Sequence, residues 1–204
     1  MKKNLQLLPR IALSLIAALT FSFVTHAQIS PGAPVYEITP GMSKIAFYVK
    51  ASVRLDGNFE KWNAALAFTS TDPSTGLLNI KIRADSVNTG STRKDDKLKG
   101  KDCFDVEEYP YITFQSTKII QTGLHSFDVP GTFTMRGISK AETLTFTADR
   151  KGEGTGEIQG TLWFDRKDFG LGGHVHFVTI ADRVELIVDF TANRISGSPL
   201  LFKQ

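Results

Sequence analysis

The chain has 204 residues, of which 41% are hydrophobic and 22% are charged, a composition that favours a folded protein with an ample core. Three of its 24 lysines and arginines lie in residues 1–27, which contain no acid, and the other 21 are balanced by 21 acidic residues. This neutrality gives no electrostatic support for nucleic-acid binding, and we expect no such partner. The single cysteine excludes an intrachain disulfide and a multi-cysteine metal site.

The first 27 residues have the pattern of a secretory signal peptide. Lys2, Lys3 and Arg10 form a positive region, an uncharged apolar stretch follows over residues 11–24, and Ala27 ends the segment. Those 14 apolar positions are short for a membrane-spanning helix, which needs about 20 residues. We therefore expect cleavage after Ala27, a periplasmic protein, and no integral membrane segment in its mature form.

From residue 35 to residue 193, apolar and polar side chains alternate in short runs that turn residues separate. This period of two predicts antiparallel strands with one dry face, and the spacing of the runs predicts an all-β sandwich or closed barrel. Residues 28–34 and 194–204 are expected to form a flexible lead-in and a C-terminal tail. The side chains that we expect to point into the interior are Phe47, Val49, Phe59, Phe114, Phe133, Phe146, Leu186 and Phe190.

The segment 91–109 breaks the alternation. It is mostly charged, and its few apolar side chains are Leu98, Cys103, Phe104 and Val106. We interpret it as a long connection with one or two short helical turns. We expect these apolar side chains to pack against the rest of the domain and hold the connection in place.

The same region carries a family resemblance. The segment SVNTGSTRKDDKLKGKDCFDVEEYPYITFQST at 86–117 resembles the signature of the YceI-like family of exported lipid- or polyisoprenoid-binding proteins. Further steps of the family pattern follow in order: Gly57-Asn58-Phe59 resembles the G-x-F step, Gly131–Gly137 the G-x-L-T-x-x-G strand, and Arg166–Gly170 the R-x-D-F-G step. The match spans about residues 35–193. Lys97 and Cys103 depart from it, since the family often has histidine and phenylalanine there.

The resemblance implies an antiparallel, lipocalin-like barrel of about eight strands, with a short helical segment in the 91–109 connection. It also implies a hydrophobic ligand in an apolar cavity: a polyisoprenoid, an isoprenoid quinone or a fatty-acid derivative. The eight inward side chains above would then line the cavity. We expect no catalytic residues, no metal and no cofactor, and we leave the oligomeric state open, with a homodimer as one alternative.

Other residues of the chain allow more than one interpretation. His174-Val175-His176 has metal-ligand spacing, although we favour a polar loop. Cys103 is either a reactive thiol or, as we favour, a small buried residue. Our first interpretation of the function is a periplasmic binding or carrier protein for such a hydrophobic ligand. Two alternatives stay open: an enzyme that isomerises or modifies a bound hydrophobe, and a ligand-free, stress-related structural protein. An acid–base pair inside the barrel would favour the enzyme, and a filled interior would favour the structural protein.

Overall fold

The computed structural model describes residues 32–172 and 179–203. Within these ranges the chain forms twelve strands and one α-helix, α1 (Thr92–Lys99). The strands are β1 (Val35–Ile38), β2 (Lys44–Ala51), β3 (Leu55–Phe59), β4 (Trp62–Ala67), β5 (Leu77–Arg83), β6 (Val87–Asn88), β7 (Tyr111–Ser116), β8 (Ile120–Gln121), β9 (Ser126–Met135), β10 (Ile138–Arg150), β11 (Thr155–Asp165) and β12 (Ile180–Ser196).

The strands close into an antiparallel barrel. Neighbouring strands follow the order β1-β4-β5-β7-β9-β10-β11-β12, and pairing of β1 with β12 closes the ring of eight. β1 pairs with the C-terminal part of β12, and β2 pairs with its N-terminal part. The strands β2, β3 and β6 extend the sheet beyond β1, β4 and β5 in that direction. Short interruptions separate them, and two of these are 3-10 turns at Pro40–Met42 and Ala84–Ser86. The predicted all-β barrel of about eight strands is confirmed.

The alternation of the sequence becomes the two faces of this barrel. In β5, Leu78, Ile80 and Ile82 are buried while the residues between them are exposed. The interior is tightly packed between the paired strands β7 and β9. If Gly131 of β9 had a Cβ atom, that atom would lie 2.8 Å from the ring of Phe114 of β7. Glycine at this position therefore lets the phenylalanine ring lie across β9, which no larger residue would allow.

The helix predicted within 91–109 is also confirmed, and it covers one end of the barrel. The Asp95 carboxylate, on α1, accepts hydrogen bonds from the backbone N–H (2.8 Å) and the hydroxyl (2.6 Å) of Thr89, which fixes the entry of the helix. Phe104, in the same connection, is buried and lies 5.9 Å from Phe59, ring centre to ring centre. We call this end of the barrel the α1 end.

The C-terminal residues cover the opposite end, which we call the tail end. The last strand extends to Ser196, so residues 194–196 belong to the barrel. Beyond it, the rings of Phe202 and Phe127 meet edge to face at 5.8 Å. Gln121 and Lys203 exchange two hydrogen bonds, at 2.9 and 2.8 Å. The residues after Ser196 therefore close the tail end.

Candidate ligand-binding site

A cavity of about 90 Å³ lies inside the barrel at the α1 end. Alternate residues of β2, β3, β7, β9, β11 and β12 point into it, and Leu98, Cys103 and Phe104 cover it from the connection that contains α1. Almost all its walls are aliphatic or aromatic. The lining residues are Phe47, Val49, Leu55, Phe59, Leu98, Cys103, Phe104, Ile112, Met135, Phe164, Arg166, Leu171, Gly172, Ile180, Val184 and Leu186.

A groove of about 430 Å³ on the surface of the α1 end joins this cavity. The groove and the cavity share five lining residues: Leu55, Leu98, Cys103, Gly172 and Ile180. Val53, at the turn between β2 and β3, is about half exposed beside the groove, and Arg93, Lys94 and Lys97 of α1 form its basic wall. A chain molecule could therefore lie partly in the groove and partly in the cavity.

Among the described residues, Arg166 is the only charged one in the wall of the cavity. Its guanidinium donates to the carbonyl oxygens of Ala181 (3.1 Å) and Leu171 (3.0 Å), and it lies 3.0 Å from the carboxylate of Asp182. A hydrogen bond from Lys167 and the nearby charges of Lys167 and Arg166 hold the pKa of Asp182 below its usual range. Because its charge is paired and each of its three nitrogens already has a partner, Arg166 is placed to support the wall.

This geometry agrees with a comparison of sequences. A family model of the YceI-like domain matches residues 36–192, which is most of the chain. The chain belongs to the YceI-like family. The resemblance that we found in the ordered motifs from Gly57 to Gly170 is therefore confirmed.

Relatives of this YceI-like chain share a modest part of its sequence. A UPF0312 protein of Pseudomonas savastanoi pv. phaseolicola is 29% identical over 124 residues, which cover 58% of this chain and 65% of the relative. The match thus covers less than two thirds of that relative's length. The crystal structure of Burkholderia cenocepacia BcnA superposes with a TM-score of 0.70 at 27% identity, over 76% of this chain and 99% of BcnA.

A polyisoprenoid-binding domain from Saccharophagus degradans superposes with a TM-score of 0.60, over 79% of this YceI-like chain and 99% of that domain. The two sequences are 14% identical, so this likeness shows the shared fold alone.

The structure separates the eight predicted lining residues of this YceI-like barrel into two groups. All eight are buried. Four of them line the cavity: Phe47, Val49, Phe59 and Leu186. The other four, Phe114, Phe133, Phe146 and Phe190, lie outside the cavity wall. Phe133, Phe146 and Phe190 pack against other aromatic rings, as Phe133 does against Phe164 and Phe169 at 5.1 and 5.3 Å, and the ring of Phe114 lies against Gly131. Contact of any of the eight with a ligand stays a prediction.

Cys103 lies at the junction of the groove and the cavity, and it is half-buried rather than a core residue. Its Sγ is 3.5 Å from the carbonyl oxygen of Gly172, and burial raises the pKa of the thiol. A raised pKa disfavours the reactive thiolate at neutral pH. A cysteine at this position leaves more room at the entrance of the cavity than a phenylalanine would.

Sequence reasoning missed three of the residues at the entrance, which the groove and the cavity share, namely Leu55, Gly172 and Ile180. They lie at or beyond the ends of alternating runs, where a period of two gives no direction. Leu98 was identified only as an anchor of the connection. The sequence did hold one indication of the groove wall. Arg93 and Lys97 are four residues apart, and this spacing places two cations on one face of a helix.

The other sequence candidates give no second site in the described ranges. His174 and His176, and the segment interpreted as a signal peptide, lie outside those ranges. Within 32–172 and 179–203, no group of three histidines, cysteines or acids could hold a metal. None of the helices in the described residues is long and apolar enough to cross a membrane.

Proposed function

We propose that this YceI-like protein is a carrier or reservoir for a hydrophobic ligand of the isoprenoid or fatty-acyl type. The observation that carries the proposal is the apolar cavity inside the barrel, joined to a groove at the surface of the α1 end. An apolar tail in such a cavity gains about 25 cal/mol for each Å² of its surface removed from water. The protein would supply burial, without any chemical step.

The size of the cavity limits how the ligand binds. Its volume of about 90 Å³ is smaller than that of an engineered apolar protein cavity of roughly 150 Å³ that binds benzene. The groove of about 430 Å³ falls within the ordinary range of ligand sites, about 300–1,000 Å³. A tail would enter through the groove and enlarge the cavity by displacing two of its side chains. These are Met135, which is unbranched, and Leu98, which lies near the end of α1.

The nature of the wall favours a carrier over an enzyme. Among the lining residues the ionisable side chains are Arg166, which is hydrogen-bonded and paired, and Cys103, whose thiol has a raised pKa. Neither has a carboxylate or imidazole partner among the described residues of the wall, so those residues offer no general acid and base. A long unbranched or prenyl tail is therefore the expected occupant, as the description of the Saccharophagus degradans domain as polyisoprenoid-binding also suggests.

The proposed setting of this activity is the periplasm. The motivation is the sequence pattern of residues 1–27, with its basic start, apolar stretch and terminal Ala27. Intact mass and amino-terminal sequencing of protein from a periplasmic extract test this. A mature chain that begins at Gln28 supports export, and a chain that retains Met1 in the membrane fraction contradicts it.

The carrier proposal is tested by extracting protein that has been purified from its native host with organic solvent, followed by mass spectrometry. We expect an isoprenoid or fatty-acyl compound in stoichiometric amount. A matched sample of the variant Val184→Phe, which fills the cavity, should yield much less of it. The same compound in equal amount from both proteins, or no lipid from either, would argue against a ligand in the cavity.

A further inference from the structure

We propose that the outer face of β10 and β11 carries a second binding site, which takes the pyranose rings of a neutral saccharide. A pocket of about 570 Å³, which we call the outer pocket, lies on this face, and its size is within the ordinary range of ligand sites. Its lining residues are Ala141, Glu142, Thr143, Thr145, Thr161 and Trp163. None of them lines the cavity inside the barrel, so the inference goes beyond the proposed carrier function.

Trp163 forms one side of the outer pocket. It is 43% exposed, although its neighbours along β11, Leu162 and Phe164, are buried. The guanidinium of Arg183, on β12, lies 4.5 Å from the centre of the indole ring. The other lining residues belong to β10 and β11, so the pocket adjoins the side of the ring that faces β10. An open aromatic face packs well against the C–H groups of a sugar ring.

Hydroxyl groups form the floor of the outer pocket. Thr143 and Thr145 on β10 and Thr161 on β11 lie on the outer face, because the residues that alternate with them are buried. Within residues 32–172 and 179–203, the hydroxyls of Thr143 and Thr161 make no hydrogen bond, whereas that of Thr145 donates to Asp128 at 3.0 Å. Such hydroxyls can donate to the hydroxyls of a sugar and accept from them.

The rim of the outer pocket provides further donors and acceptors. Pairing of β10 with β11 ends at Leu144, so in the described ranges Ile138–Thr143 pair with β9 alone. Alternate backbone N–H and C=O groups of this stretch therefore meet no neighbouring strand. A polar ligand in the pocket could form hydrogen bonds with them.

The charge of the outer pocket favours a neutral ligand. Of the described residues that line it, Glu142 is the one that ionises, and none is a lysine or an arginine. A phosphate would lie beside a like charge, which disfavours a nucleotide despite the aromatic ring. Burial and the nearby charge of Asp168 raise the pKa of Glu142. A carboxyl group that is partly removed from water gains from hydroxyl donors, which a saccharide supplies.

The test is a titration of the mature protein with three soluble saccharides, namely cellotetraose, maltotetraose and N,N′,N″,N‴-tetraacetylchitotetraose. The chain has two tryptophans, so Trp62→Phe leaves Trp163 as the sole fluorescent reporter of this kind. We expect at least one saccharide to change its fluorescence in a saturable way, and calorimetry of the wild-type protein to show the same binding. High salt should not weaken it, because the sugars are neutral.

Two variants test the position of the site. Trp163→Ala should weaken saccharide binding about tenfold or more, since it removes the aromatic face, and Thr143→Arg should do the same by filling the pocket. The matched control is Tyr111→Ala on β7. Tyr111 is similarly exposed, at 41%, but its ring is already covered by the ammonium of Lys81 at 3.8 Å. The control should bind the saccharide as the wild type does, and circular dichroism verifies the fold of each variant.

Three results would overturn the proposal. The first is binding of none of the saccharides, and the second is an equal loss of affinity in Trp163→Ala and Tyr111→Ala. The third is binding of an extended peptide of alternating threonine and valine in place of the saccharides, with a loss on Trp163→Ala, because the open edge of β10 would then be a docking site for a strand. Each of these results leaves the carrier proposal standing, since no residue of the outer pocket lines the cavity.

Discussion

Arg166 and Asp182 form an ion pair beside the cavity, with 3.0 Å between Nη2 and Oδ1. The same guanidinium donates to two backbone carbonyl oxygens, those of Ala181 and Leu171. One planar side chain thus joins the start of β12 to the segment that follows β11, and both segments contribute to the wall of the cavity.

The first prediction concerns this support. Arg166→Gln leaves the two carbonyl oxygens without their donors and should lower the free energy of unfolding by about 1–3 kcal/mol. Arg166→Lys keeps the charge without the planar fork and should lie between the glutamine variant and the wild type. Urea denaturation of all three proteins measures this, and a glutamine variant as stable as the wild type would contradict the role of Arg166.

The second prediction concerns the tail end. Phe202→Ala removes the edge-to-face contact with Phe127 and should cost about 1–2 kcal/mol of stability, because Phe202 is partly exposed. Ligand affinity should not change, since the cavity lies at the α1 end. The same denaturation and titration experiments check both statements, and a loss of affinity without a loss of stability would mean that the ligand reaches the tail end.

The third prediction concerns the pH dependence of Cys103, the single cysteine of the chain. Burial raises the pKa of its thiol, so the reactive thiolate should form at higher pH than in the unfolded chain, where the pKa is about 8.5. Alkylation followed by intact mass should therefore show a rate that rises at higher pH in the folded protein than in protein unfolded in urea. Coinciding pH profiles would contradict the burial of the thiol.

The fourth prediction uses one position to change the cavity in both directions. Val184 is buried and lines the cavity. Val184→Ala enlarges the cavity and Val184→Phe fills it, and each should cost about 1–3 kcal/mol of stability. Ligand affinity should nevertheless be kept or raised by alanine and strongly reduced by phenylalanine. Parallel losses of affinity in the two variants would show that stability alone governs binding.

Much of the fold could be predicted from the sequence because alternation records which side of a strand faces the core. In β12, Val184, Leu186 and Phe190 are buried, as their spacing of two or four residues predicts. Alternation does not record the height of a residue along the barrel. For this reason Phe190 and Leu186 were indistinguishable in the sequence, although only Leu186 lines the cavity.

The entrance of the cavity could not be predicted for a different physical reason. Among the residues that the groove and the cavity share, Leu98 comes from α1 and Gly172 from the segment that follows β11, and the two meet only when the barrel closes. The net charge of residues 28–204 was equally uninformative, since 21 basic and 21 acidic residues balance there although Arg93, Lys94 and Lys97 lie together in the wall of the groove.

The most direct test of the carrier account is a titration with neutral prenyl alcohols of 10, 15 and 20 carbons, each at low and high salt, with calorimetric detection. Burial of an apolar tail is worth about 0.8 kcal/mol for each CH₂, or about fourfold in affinity, until the available space is filled. We predict a steep rise in affinity with tail length that salt does not change. An affinity that is the same for all three alcohols would contradict a ligand tail in the cavity.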